Sequence, residues 1–272
     1  MNWTSTPQSI STRIFAIGLL LAAGLFAYGG ILHAAWRQEQ SVSLPKAEEV
    51  LDRYIQVTGG KAAFASLNNI LSKGAFEVVG TPMRGTYTAY EAQPNKTRTI
   101  FEFEGGDKDE QGTLGDVVWA SSAKDGPSLR QGEEKAIALR EATFNSMLNW
   151  RKLYRKAECA GTEKIGEKTC YKIVLTPEAG RPLTQFFDTE SGFLVKSFIS
   201  FKGPNGDVLA ENLYDDYREA NVKILFPHKL AYRVGDEVIV VVLNSVRCNV
   251  DIAWYRFDLS PDIKALQAKK RL

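Results

Sequence analysis

From residue 72 onward the chain repeats one pattern. Short runs of alternating apolar and polar residues, rich in β-branched and aromatic types, are separated by brief turns. Ten such runs are legible, at 72–79, 84–91, 97–104, 116–120, 169–175, 183–188, 194–202, 208–217, 228–233 and 237–249. Side chains of a strand alternate between faces, so a period of two marks a sheet with one buried side. The turns include Gly80-Thr81-Pro82, Pro94-Asn95, Ser191-Gly192 and Pro204-Asn205-Gly206, all too short to carry a crossover helix. Strand after strand joined in this way predicts a mainly β fold built as an antiparallel meander. A parallel nucleotide-binding sheet, which needs a helix between successive strands, has no support.

A few helices frame the strands. Pro45 opens one in which Ala47, Val50, Leu51, Tyr54 and Ile55 recur at helical spacing, and Gly59-Gly60 ends it. Residues 61–67 read as a second, short helix. Residues 133–156 hold no Gly or Pro and place Ile137, Phe144, Met147, Leu148 and Leu153 on one side, so they read as one long helix. Its stripe is either plain core or a roof over a cavity in the sheet. Pro261-Asp262 open a C-terminal helix whose end, Lys269-Lys270-Arg271, reads as a solvated tail.

The N-terminus differs in kind. Residues 14–32 carry no charge, and Arg13 stands directly before them. This N-terminal hydrophobic helix approaches the ~20 residues that span a bilayer and exceeds the ~7–15 of a secretory signal core. Cleavage after Ala34 would leave Leu32 three places from the cut, and cleavage after Ala35 would leave His33 there. Residues 1–36 are therefore a signal sequence or a membrane anchor, 37–44 a polar spacer, and 45–272 one β domain working outside the cytoplasm. No Cys follows the run closely, so a lipid-modified N-terminus is not expected.

Charge and chemistry exclude several classes. With 34 basic and 32 acidic residues mixed along 272, the net charge of +2 makes no field for nucleic acid. The three cysteines are Cys159, Cys170 and Cys248. A hairpin turning near Ile165 and Gly166 would set Cys159 almost opposite Cys170, so a disulfide is expected in an oxidising compartment; the alternative is two small buried thiols. No CxxC or His–Cys cluster is present, so neither a metal nor another cofactor is expected. His228 is the sole candidate base outside the leader, and no GxSxG, HExxH or P-loop occurs. Asp215 and Asp216 are adjacent on a strand and point to opposite faces. An enzyme is not expected.

Alternation places Phe76, Val78, Tyr87, Phe101, Phe103 and Phe186 on the inner face of their strands, where Phe144, Met147, Leu148 and Trp150 are placed to roof them. These ten are the candidate lipid-binding residues, although part of the set could equally be plain core. Residues from about 44 to 266 resemble bacterial outer-membrane lipoprotein-sorting proteins, the lipoprotein-carrier-like group. The likeness rests on EVLDRYIQVTGGKAAF at 49–64, LNWRKLY at 148–154, QFFDTESGFLV at 185–195, Asp216-Tyr217-Arg218 and Phe226-Pro227. It implies a strongly curved antiparallel sheet forming an unclosed barrel, with helices over the concave face and an apolar cavity for acyl chains. The expected function is an envelope lipid- or lipoprotein-acyl-binding protein, as carrier, acceptor or sensor. The alternative is a non-catalytic accessory or scaffold subunit of a membrane-associated complex. Expected partners are a lipid or acylated protein, the inner membrane through 14–32 if uncleaved, and another protein. A retained anchor would depart from the freely diffusing carriers and favour a local acceptor, sensor or subunit.

Overall fold

The structure, a computed structural model, describes residues 43–203 and 206–270. The apolar segment 14–32 lies outside the described residues. Among those described, no helix is long and apolar enough to cross a membrane.

The chain begins with α1 (Ala47–Val57) and α2 (Lys61–Ala65) and then lays down β1 (Asn69–Val78), β2 (Arg84–Ala92), β3 (Lys96–Phe103), β4 (Lys108–Leu114), β5 (Val117–Ser122) and β6 (Gly126–Leu129). Two short helices follow, α3 (Gly132–Glu141) and α4 (Trp150–Leu153). A second run of strands comprises β7 (Lys156–Ile165), β8 (Lys168–Thr176), β9 (Leu183–Asp188), β10 (Leu194–Gly203), β11 (Gly206–Glu219), β12 (Leu225–Val234) and β13 (Glu237–Cys248). A 3-10 turn (Trp254–Phe257) and α5 (Pro261–Lys270) end the chain.

All thirteen strands form one sheet in the order β6-β5-β4-β3-β2-β1-β13-β12-β11-β10-β9-β8-β7. Two meanders thus meet at the antiparallel pair β1–β13, and the two edges, β6 and β7, are consecutive in sequence without pairing. The barrel is unclosed. The connection 130–155 must therefore travel from one free edge to the other.

Close strand approach at bends is licensed by glycine. A Cβ on Gly74 would stand 2.1 Å from the Val242 carbonyl oxygen, and one on Gly85 would stand 1.9 Å from that of Glu102. Gly74 also sits at a register shift of β1 against β13, where a bulge coils the sheet. Alternation then sorts the two faces. The concave face carries Phe76, Val78, Tyr87, Phe101, Ile173, Leu175, Phe187, Ile239, Val241 and Leu243, packed with Leu51, Tyr54 and Ile55 of α1. Burying each such side chain is worth roughly 1.5–3 kcal/mol. The guanidinium of Arg53 fastens α1 to the β9–β10 turn by donating to the carbonyls of Thr189 and Glu190. On the convex face, Leu259 and Ile263 of the C-terminal segment cover Trp119 of β5.

Three expectations need correction. The region 133–156 is not one helix: α3 ends at Glu141 and Asn145 adopts φ +55°. Tertiary bonds replace the helical ladder there, since Phe144 N donates to Pro94 O at 2.9 Å and Asn145 Nδ2 to Phe64 O at 2.7 Å. Asn tolerates the left-handed conformation and competes for backbone partners, so a stretch without Gly or Pro still breaks.

Cys159 and Cys170 form no disulfide in this structure; both are free thiols. The hairpin turns at Gly166-Glu167, so Cys170 faces Glu163 and Cys159 faces Ile173, with a bulge between Cys159 and Thr162. The turn lies two residues beyond the midpoint of the two cysteines, which separates them along the ladder.

The strand series is also longer than ten. The ten runs leave out β4, β6 and β7: β4 reads Lys-Asp-Glu-Gln-Gly-Thr-Leu, β6 holds a Pro, and β7 is implied only as the first arm of the cysteine hairpin.

Candidate functional site

The concave face fills unevenly, and register explains why. One cross-strand row runs Gly74–Tyr87–Phe101–Asp109. Its rings are locked by neighbours: Phe76 meets Phe101 and Phe103 edge to face at 5.1 Å each, and Tyr87 meets Phe101 at 5.3 Å. The next row reads Ser72–Ala89–Thr99–Gln111–Ala120, and the one beyond it Ile70–Glu91–Thr97–Thr113–Val118. Small and polar side chains replace rings in these two rows. A cavity of about 220 Å³ opens there, lined by Tyr87, Ala89, Glu91, Thr97, Thr99, Gln111, Thr113, Val118 and Arg130, with Ala138, Glu141 and Ala142 of α3 above.

The helix α3 bridges the two arms of the sheet over this cavity. Its Ile137 packs on Ile199, Phe201, Val208 and Val234 of the far arm. Glu133 accepts a hydrogen bond from Lys202 N at 3.0 Å and pairs with Arg181 at 3.6 Å. On the near arm Lys135 reaches Asp116 at 3.4 Å, and Arg130 faces Glu134 at 3.7 Å. The roof is thus apolar toward one arm and hollow toward the other.

Of the ten candidate residues, nine are brought together and Phe186 is not. Phe76, Val78, Tyr87, Phe101, Phe144 and Trp150 are buried in one cluster, with Phe103, Met147 and Leu148 half-buried against it. Only Tyr87 among them lines the cavity. Gln185 Nε2 lies 3.6 Å from the Met147 sulfur, and Arg151 stacks at 4.3 Å on the Trp150 ring while reaching Asp52 of α1 at 3.6 Å. Phe186 is turned to the convex face, 1% exposed, packed with Cys170 and Val195 beneath Lys172 and Lys196. Its neighbour Phe187 points inward, 5.5 Å from Tyr54. The inward residue of the Phe186-Phe187 pair is fixed by pairing with β10, where a bulge between Leu194 and Lys196 resets the count.

The remaining candidates are placed as follows. His228 is buried, with Nδ1 3.0 Å from Phe226 O of its own strand. Asp216 is held by Arg218 at 2.6 Å, which keeps its carboxyl below the usual range. Among the described residues no group of three or more His, Cys, Asp or Glu is arranged to hold a metal.

Sequence reasoning missed the polar wall. The alternation that turns Phe101 and Phe103 inward also turns Thr97 and Thr99 inward, so half of the wall was legible. Gln111 and Thr113 were hidden with β4.

Electrostatics inside the concavity are distinctive. Burial pushes the Glu91 carboxyl up, and burial also raises Glu141 although Arg140 beside it acts in the opposite sense. Glu141 lines the cavity while remaining an exposed residue. Phenols crowd nearby. Tyr87, hydrogen-bonded to Tyr232 and Thr99, is pushed by burial to about 12, as are Tyr54 and Tyr154. Burial raises Tyr214, Tyr217 and Tyr232 as well.

No family model matches this sequence, and no curated protein does. Solved structures do match in three dimensions. A DUF1329 family protein from Desulfovibrio piger superposes with a TM-score of 0.53 at 10% identity, covering 79% of this chain and 98% of that one. A LolA superfamily protein from Nitrosomonas europaea gives 0.51 at 12% identity, covering 79% and 99%. A domain described as outer membrane lipoprotein-sorting, from Vibrio parahaemolyticus, gives 0.51 at 12%, covering 78% and 97%. The chain has the lipoprotein-carrier-like fold.

Proposed function

We propose that this domain binds the acyl part of a lipid or an acylated protein against its concave face, as a carrier, acceptor or sensor of the cell envelope. The observation that carries the reading is the connection 130–155. It crosses from one free sheet edge to the other as two short helices and an irregular bridge, over an aromatic floor and beside a cavity. Met147, Leu148 and Leu153 of this cover are only half-buried against the floor. Lifting them uncovers part of the buried cluster to which Phe76 and Phe101 belong, an apolar surface ready for methylene chains at ~25 cal/mol per Å² removed from water. The floor is preformed by the sheet, which spares a ligand the cost of ordering it. The role is non-catalytic, and His228 belongs to the packing of its own strand.

The test is photochemical. Cells making the full chain are fed a photoactivatable fatty acid and irradiated, and the protein is digested for adduct mapping. Adducts are expected on peptides spanning Phe101–Phe103 and Met147–Leu153. Adducts confined to residues 14–32, or a stoichiometric protein partner with no concave-face adduct, would overturn the reading.

A further inference from the structure

An acyl chain has no need of the polar half of the concavity. Setting methylenes against carboxyls and hydroxyls forfeits the hydrogen bonds these groups can still accept, so a wall of this composition suits a polar part of a ligand. The wall is firmly built. Thr97 and Thr113 hydroxyls lie 3.0 Å apart, and Thr113 donates to Asn95 O at 2.6 Å. Tyr87 stands at the boundary, in van der Waals register with the Phe101 row on one side and lining the cavity on the other.

Charge selects the ligand. Around the cavity, Arg130 pairs with Glu134, and Arg140 acts on Glu141. That leaves Glu91. Among the described residues it makes no ion pair, and the titratable groups that feel its charge, Tyr87, Tyr232 and Cys248, are neutral at ordinary pH. The Glu91 carboxyl lines the cavity beside Tyr87, and a cation arriving there would hold it in its charged form.

We propose that the cavity takes the ammonium head of an amine-bearing amphiphile, with Glu91 as its counter-charge, Glu141 beside it and Tyr87 as the aromatic wall. The inference rests on the acyl-binding reading and adds the head group to it: the chain runs along the Phe101 row and the head turns into the Glu91 row.

The experiment uses the full chain and three soluble probes of equal chain length: hexylamine, hexanol and hexanoate. Hydrogen–deuterium exchange is followed in peptides of β2–β5 and α3. Hexylamine is expected to protect these peptides at concentrations roughly tenfold or more below hexanol, the scale of a charge-assisted hydrogen bond, with hexanoate weakest. In Glu91→Gln the advantage of the amine falls about tenfold while hexanol is unaffected, which also shows that the variant folds. Glu141→Gln has a smaller effect in the same direction. Equal protection by amine and alcohol, or an amine preference that survives in both variants, overturns the proposal. The two readings separate cleanly. Fatty-acid adducts without an amine preference retain acyl binding and remove the head-group site, whereas an amine preference without adducts removes the acyl chain and leaves a small-amine site.

Discussion

Truncating Phe101 to Ala tests the packing on which the site depends. Phe101 is 4% exposed, sits between the rings of Phe76 and Tyr87, and borders the cavity through Tyr87. Removing a buried benzyl group typically costs about 3–5 kcal/mol, the larger values arising where neighbours cannot collapse into the hole. Here both neighbours are on paired strands, β1 and β2, whose positions are held by ladders on each side, so the upper half of that range applies. The two edge-to-face contacts, about 0.5–1.5 kcal/mol each beyond area, fall within that sum. Against a total stability of about 5–15 kcal/mol the loss is large. Urea unfolding of the full chain, followed by tryptophan fluorescence, should show a midpoint lowered by about 1 M or more at an unchanged slope of ~1–3 kcal/mol per M. The hole would also merge with the existing cavity, so a bound acyl chain should recover part of the loss. A cost below about 1 kcal/mol would refute the packing argument, because a ring in this setting cannot be so weakly held.

Two further outcomes follow from the concave interior and its hairpins. The raised phenols of Tyr54, Tyr87 and Tyr154 ionise less readily in the fold than in the unfolded chain, so their contribution is intact below pH 10 and lost between about 10 and 12. Phenolate absorbance should therefore lag an unfolded control near pH 10 and rise together with loss of structure; reversible titration of every tyrosine near 10 would refute the buried network. Thiol alkylation of the native protein should label Cys159 first and spare Cys170 and Cys248, which are buried and whose thiols are pushed to about 11. A Cys159–Cys170 cross-link in mass spectra taken without reductant would contradict the observed strand register.

Much of the architecture was legible in local pattern. Period-two alternation identified most strands and turned Phe76, Tyr87 and Phe101 inward, because the face of a side chain within a strand follows from backbone geometry alone. The helical spacing of Val50, Leu51, Tyr54 and Ile55 marked the buried stripe of α1 for the same reason. Where pattern failed, a non-local pairing decided the outcome. Phe186 and Phe187 look alike in sequence, and a bulge in β10 selects which one faces the core. Cys159 and Cys170 look bridged until the turn is placed at Gly166-Glu167.

By itself, then, the amino-acid sequence determined an antiparallel β domain with an apolar inner face. Tertiary structure decided that thirteen strands stop short of closure, that the 130–155 segment breaks into two helices to span the gap, and that a polar cavity opens under α3. The physical reason is separation along the chain. Alternation is encoded over neighbouring residues, whereas Glu91, Thr113 and Glu141 meet only when three distant segments pack, and nothing in any one segment specifies that meeting.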